Sequence, residues 1–222
     1  WLVVAKVVVV SNWLLLFTSL SILVGSIGAI NQSSLLRFIA YSGISHIGFV
    51  LWPLSYMSSG SWSVSIFYLV IYLPSVVVIA GITSYLNLKS PLIVSFSGLI
   101  KSNYVVAFTL GAAFLSLGGI PPLSGFLGKW FVIQQGINYH TYWVVFIAVV
   151  FSVLTVSYYL RIVKLIYFQD RGDILTWSSS LITVSSLSRP QSIVLGVNVF
   201  IMVAVITNPF PLINIINWFC YS

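Results

Sequence analysis

Acidic residues are almost missing from this chain. There is no glutamate, and the two aspartates, Asp170 and Asp173, stand together in one polar stretch. Cys220 is the single cysteine, which excludes a disulfide framework and a multi-thiol metal site. His46 and His140 are the two histidines, too few and too far apart in sequence to complete a metal cluster with two aspartates. Gly-rich phosphate loops and dinucleotide fingerprints are also lacking. Charged residues make up only 5% of the chain, against roughly 25% in soluble domains. A soluble enzyme built on carboxylate, thiolate or metal chemistry is thereby excluded.

Long apolar runs are present instead: 59% of the 222 residues are hydrophobic. A membrane-spanning helix needs about 20 mostly apolar residues, and several runs meet that length. The stretch VVFIAVVFSVL, 144–154, does not alternate as a barrel strand would. The chain therefore reads as an all-α polytopic membrane protein. Residues 1–10 read as the tail of one helix, ended near Ser11-Asn12, and 13–30 as a second segment. Residues 36–57 and 63–86 form the next two, together the unit 31–86. The connector 87–102 leads to 103–135, which is interrupted by Pro121-Pro122, and then to 142–168. The polar connector 169–190 precedes a last span at 191–207. The proline-started tail, 208–222, belongs at the interface or against a partner.

With each segment crossing once, Arg37, Lys89, Lys101, Arg161, Lys164, Arg171 and Arg189 fall on one side. The opposite connectors carry no lysine or arginine. The positive-inside rule makes the basic side cytoplasm or mitochondrial matrix. Orientation in a bilayer, rather than nucleic-acid binding, accounts for the net charge of +7.

Lys6 and Lys129 break this pattern, because both lie inside apolar runs. A charged lysine at the bilayer centre costs about 2.5–3.5 kcal/mol on insertion scales. As one straight helix, 103–135 would run about 50 Å, well beyond a hydrocarbon core of about 30 Å. Pro121 and Pro122 remove backbone donors, and the neighbouring glycines allow irregular backbone, with Ser124 a supporting polar residue beside them; such backbone is tolerated at membrane depth where it lines a wet cavity or is packed in protein. Two readings fit Lys129: it snorkels to the uncharged interface, or it faces that hydratable break. His46 lies in YSGISHIGF with Ser42 and Ser45, and Ser42 and His46, four apart, share a helix face. It is a packing histidine bonded to a carbonyl, or a proton relay group. Burial disfavours the charged amine, so lysines and a histidine joined by water would suit proton transfer. No membrane segment carries an acid, so any carboxylate partner comes from elsewhere.

Two long motifs carry a resemblance. INQSSLLRFIAYSGISHIGF, 30–49, is similar to the Asn-Gln-x-x-x-(Lys/Arg)-x-x-x-x-Tyr-Ser-Ser-Ile-x-His-x-Gly block of the subunit 2 family of NADH:ubiquinone oxidoreductase, respiratory complex I. LSLGGIPPLSGFLGKWFVIQQ, 115–135, resembles that family's Leu-Gly-Gly-(Ile/Leu)-Pro-Pro-Leu-(Thr/Ser)-Gly-Phe-x-x-Lys-Trp block. YYLRIVKLIYF, 158–168, resembles the close of its next helix. The resemblance implies an antiporter-like helical bundle with a proline-broken transmembrane helix. It also implies a proton-translocating role in NADH:ubiquinone oxidoreduction, in the mitochondrial inner membrane or a bacterial plasma membrane. It assigns Lys129 to the second broken helix at the proton exit, Lys6 to the central lysine, and His46 to the axis between them. Flavin, iron–sulfur clusters and quinone would belong to other subunits. Partners would be neighbouring complex I membrane subunits, lipids, and a separate chain carrying the N-terminal half, since only the C-terminal half to two-thirds of the family's length is matched. The spacing from Lys6 to Arg37 is about ten residues short of the family's, and Gln134-Gln135 stands where the family often has Gln-Glu. A subunit of a multi-subunit cation/proton antiporter and a structural half-subunit without conduction are the alternatives.

Overall fold

The computed structural model describes residues 2–86, 92–169 and 189–221, with 2–8, 190 and 221 as backbone only. Trp1, Lys89, Asp170, Arg171, Asp173 and most of the polar connector lie outside the described residues. Nine α-helices are described in chain order: α1 Leu2–Ile30, α2 Leu35–Leu54, α3 Ser59–Tyr85, α4 Leu99–Ser102, α5 Tyr104–Gly118, α6 Ser124–Asn138, α7 Tyr142–Phe168, α8 Arg189–Thr207 and α9 Phe210–Tyr221. A 3-10 turn, Ile93–Phe96, precedes α4. Four helices are long and apolar enough to span a membrane, and α8 with α9 forms a fifth candidate bent by 92°. The all-α, multi-pass architecture is as the sequence indicates.

One boundary differs. Residues 1–10 are not a separate helix, because α1 runs unbroken from Leu2 to Ile30. Ser11 and Asn12 are polar but neither is a helix breaker like glycine or proline. Serines further along α1 also donate back to its own carbonyls, as Ser26 does to Ile22 O at 2.6 Å. The merger removes a segment before the first connector, so the later alternation of sides is unchanged.

The two ends of the bundle differ in chemistry. At the uncharged end the α2–α3 and α6–α7 turns meet. Tyr139 donates to Ser58 Oγ at 2.7 Å, and the Tyr56 and Tyr139 rings stack at 4.2 Å. At the basic end Gly98 N–H donates to Leu165 O at 3.3 Å, and Ser34 pairs with Leu92. One apolar cluster, including Phe38, Ile82, Phe114 and Ile162, fills the basic half of the bundle. A second, including Ile22, Trp52, Val132 and Val144, fills the opposite half.

Between them the chain breaks. Gly119 takes φ +78°, a left-handed conformation open to glycine. Its N–H donates to Ser116 O at 2.9 Å, and Ile120 N–H to Leu115 O at 3.2 Å. This pair of bonds is a Schellman close, with Pro121 following at once. The stop is therefore made by the glycines, and the prolines prevent the helix from resuming. At 15 residues each, α5 and α6 are about 22 Å long, and neither crosses alone.

The two half-helices touch backbone to backbone. A Cβ added at Gly125 would collide with Ser116 O. Gly125→Ala should therefore destabilise the fold by about 3 kcal/mol or more, since overpacking here meets rigid backbone. Gly196→Ala, where an added Cβ meets nothing within 4 Å, should be neutral or stabilising. Thermal melting of the two purified variants compares them directly.

Candidate functional site

Lys129 is buried, 6% exposed, on the inner face of α6. Its side chain folds back towards the break, and Nζ donates to Gly118 O at 2.7 Å and to Thr155 Oγ1 at 3.1 Å. Gly118 ends α5, so no following turn bonds its carbonyl. That carbonyl carries the negative end of the α5 dipole, which favours a cation. Thr155 donates its own proton to Ser152 O at 2.6 Å, so its oxygen is left to accept from the lysine. Nζ also lies 5.8 Å from the centre of the Phe49 ring.

Depth decides between the two sequence readings of Lys129. Thr155 is the middle residue of the 27-residue α7. Nζ bonded to it lies at mid-span, some 20 Å along the helix from either end. Lys129 does not snorkel to an interface.

His46 stands at the middle of α2 and is 3% exposed. Two tyrosine hydroxyls hold it: Tyr68 at 2.8 Å from Nδ1 and Tyr159 at 3.1 Å from Nε2. A phenol can donate or accept. Both neutral tautomers and the imidazolium are therefore satisfied by the same two partners. The carbonyl-bonded packing histidine considered from sequence is replaced by this clamp. Thr155 and Tyr159 are four residues apart on α7 and share a face, so one helix serves both Lys129 and His46. Phe49, the ring beneath Nζ, stacks on Tyr68 at 5.9 Å.

The supporting residues divide. Ser42 and Ser45 donate back to their own helix, to Ile39 O at 2.9 Å and Ser42 O at 2.7 Å, so they do not donate to the imidazole. Ser124, 1% exposed at the start of α6, has no hydrogen-bond partner for its hydroxyl. Pro121 and Pro122 lie in the α5–α6 turn. Lys6 falls in α1, and its side chain lies outside the described residues. His140 is exposed in the α6–α7 turn and bonds Tyr142. No group of three or more His, Cys, Asp or Glu that could hold a metal occurs among the described residues.

Sequence reasoning missed Tyr68, Tyr159, Thr155 and the Gly118 carbonyl. It also missed a cavity of about 10 Å³ lined by His46, Tyr68, Tyr72, Ser75, Ser116 and Gly125. That is close to the room one water needs. Ser75 donates to Ser116 Oγ across it at 3.2 Å. The cavity reaches from the histidine to the broken backbone.

Residues 2–155 match the family described as NADH:quinone oxidoreductase/Mrp antiporter, TM. This protein belongs to that family. The antiporter family relatives include NADH-ubiquinone oxidoreductase chain 2 of Metridium senile, 39% identical over 210 residues, covering 94% of this chain and 54% of the relative. NADH-quinone oxidoreductase subunit N of Azobacteroides pseudotrichonymphae is 33% identical over 193 residues, 86% of this chain and 39% of the relative. The chain thus spans about half the length of the relatives it matches. Respiratory complex I from Thermus thermophilus contains a chain of TM-score 0.74 at 22% identity, over 91% of this chain and 45% of that one. The Mrp complex of Dietzia sp. contains one of TM-score 0.78 at 18% identity, over 93% and 46%. At these identities the likeness is one of fold.

Thr155→Val keeps the volume of the side chain and removes the acceptor. With Lys129 Nζ left one partner short, stability should fall by about 1–3 kcal/mol. Thr155→Ser, which keeps the acceptor, should stay within about 1 kcal/mol of the parent. Thermal unfolding of the two variants in the same detergent tests the bond.

Proposed function

We propose that this chain forms the C-terminal, proton-translocating part of an antiporter-like subunit of NADH:ubiquinone oxidoreductase, in the mitochondrial inner membrane. The observation that carries this reading is Lys129 Nζ at mid-span, held between the freed Gly118 carbonyl and Thr155. An ionisable residue at that depth that faces the bundle interior is characteristic of a proton or ion path.

In this reading Lys129 loads and releases a proton, and His46 relays it. The Gly118 carbonyl and Thr155 stabilise the ammonium, so the bonds that hold the charged form weaken when the proton leaves. A water in the cavity beside His46 would connect the imidazole to the break, with Ser75, Ser116 and Ser124 as its polar surroundings. Lys6 would continue the path towards the first half of the family's length. That half, on a separate polypeptide or on more of this one, would supply the carboxylate that the membrane segments here lack. Flavin, iron–sulfur and quinone chemistry belong to other subunits, whose redox energy would drive hydration and proton affinity along this axis. Neighbouring membrane subunits and lipid would cover the exposed apolar faces.

A cation/proton antiporter subunit is the second reading, favoured by the fold likeness to the Mrp complex. Sodium-dependent transport without NADH-linked activity would select it. Burial of Lys129 between helices, rather than against lipid, speaks against a purely structural half-subunit.

Lys129→Ala should leave the assembled complex detectable on native gels and lower the rate of NADH-linked proton translocation by about tenfold or more, a loss of at least about 1.4 kcal/mol. An unchanged rate would remove Lys129 from the path.

A further inference from the structure

A second, wider cavity does not adjoin Lys129. It opens at the basic end of the bundle, with a volume of about 380 Å³. Gln32 and Ser33 of the α1–α2 turn, Arg161 and Lys164 of α7, Gln169 just beyond it and Val94 of the 3-10 turn line it. Ala29, Ile30, Phe38, Ile162 and Tyr158 complete the lining, and Tyr158 is the α7 residue among them set furthest from that helix's basic end. Several waters fit in such a space, and the polar mouth would hold them.

Tyr158 is placed as a stopper. It is 4% exposed, and its ring packs edge-on to Phe38 at 5.3 Å. On the other side it leans on Tyr159 with centroids 4.7 Å apart. Tyr159 is the residue that holds His46 Nε2. The Tyr158 hydroxyl lies near those of Ser45 and Tyr159, yet meets no partner at hydrogen-bonding geometry. A buried phenol without a partner is costly, and a water entering from the cavity would offset that cost. This one side chain thus lies between the vestibule and the tyrosine clamp of the histidine.

We propose that this vestibule is the aqueous approach by which His46 exchanges protons with the basic side, and that Tyr158 is the gate that closes it. The assignment rests on the proton-translocating reading. In the closed arrangement the Tyr158 ring excludes water from the clamp. When the ring moves aside, vestibule water reaches the Tyr159 hydroxyl. A hydronium in the vestibule water then gives a proton to the Tyr159 oxygen as Tyr159 gives its own proton to Nε2, so that the imidazole gains one proton, the phenol ends neutral and water is left behind. Arg161 and Lys164 at the mouth disfavour metal cations. Both are exposed, so water and salt screen their fields within about 8–10 Å. The C-terminal dipole ends of α1 and α7, which are negative, oppose them at the same mouth.

Cysteine labelling of the assembled complex in sealed vesicles of both orientations tests the gate, in a Cys220→Ser background. The probe is an anionic, membrane-impermeant methanethiosulfonate. Ser33→Cys should react from the basic face whatever stands at 158. Ser45→Cys should stay unreactive with Tyr158 or Tyr158→Phe. With Tyr158→Ala it should react from the basic face at least about tenfold faster, as expected when a closed barrier is removed. Tyr158→Val, which retains some packing on Phe38, serves if the alanine variant does not assemble. Protection of Ser33→Cys from both faces would overturn the proposal. So would equal reactivity of Ser45→Cys with Tyr158 in place, no acceleration when the ring is removed, or reaction from the opposite face only. These readouts do not depend on pumping. Labelling as expected together with unchanged translocation in Lys129→Ala would keep the vestibule and remove the proton path it was meant to feed.

Discussion

A backbone carbonyl that no helix can satisfy organises this protein. In hydrocarbon an unpaired backbone polar group costs several kcal/mol, and a helix stopped at mid-membrane leaves such groups behind. Gly118 O is one of them, and Lys129 Nζ meets it at 2.7 Å. The dependence is mutual. The ammonium needs an acceptor at that depth, and the carbonyl needs a donor. Break and lysine are thus each costly alone and compatible together. The approach of α6 to α5, with no room for a Cβ at Gly125, brings the two within bonding distance.

The helix α7 then turns this local pairing into a connected site. Thr155 accepts from Lys129, and Tyr159, one turn along, bonds His46. The two partners impose different constraints. Thr155 can only accept from the lysine while its proton is committed to Ser152 O. The tyrosines around His46 can reverse their roles, so their hydrogen bonds fit either form of the ring.

Much of this was legible in the residues. The run 103–135 was too long for one helix, and Pro121-Pro122 marked where it breaks. Charge asymmetry ordered the connectors, and Lys129 and His46 stood out as polar residues in apolar surroundings. The family motif reinforced both. What escaped has a common cause. Tyr68 and Tyr159 carry no signal in the sequence, because an aromatic in an apolar helix gives no sign of which way its hydroxyl turns. Thr155 is a β-branched residue among many, and its role arises only from the fold-back of Lys129 across 26 residues of sequence. A backbone carbonyl such as Gly118 O has no side-chain signature at all. The split proposed at Ser11-Asn12 failed for the opposite reason: two polar residues looked like an end, but serine in a membrane helix can bond its own backbone and let the helix continue.

The position of the water-sized cavity adds the last constraint. It touches His46 and Gly125 together with Ser75 and Ser116, so it joins the surroundings of the histidine to the break. Its room is close to that of one water, and Ser75 and Ser116 bond each other across it. The same interruption leaves the Gly118 carbonyl free for Lys129. The space beside the imidazole and the acceptor for the lysine therefore have one origin, and a helix without the break would offer neither.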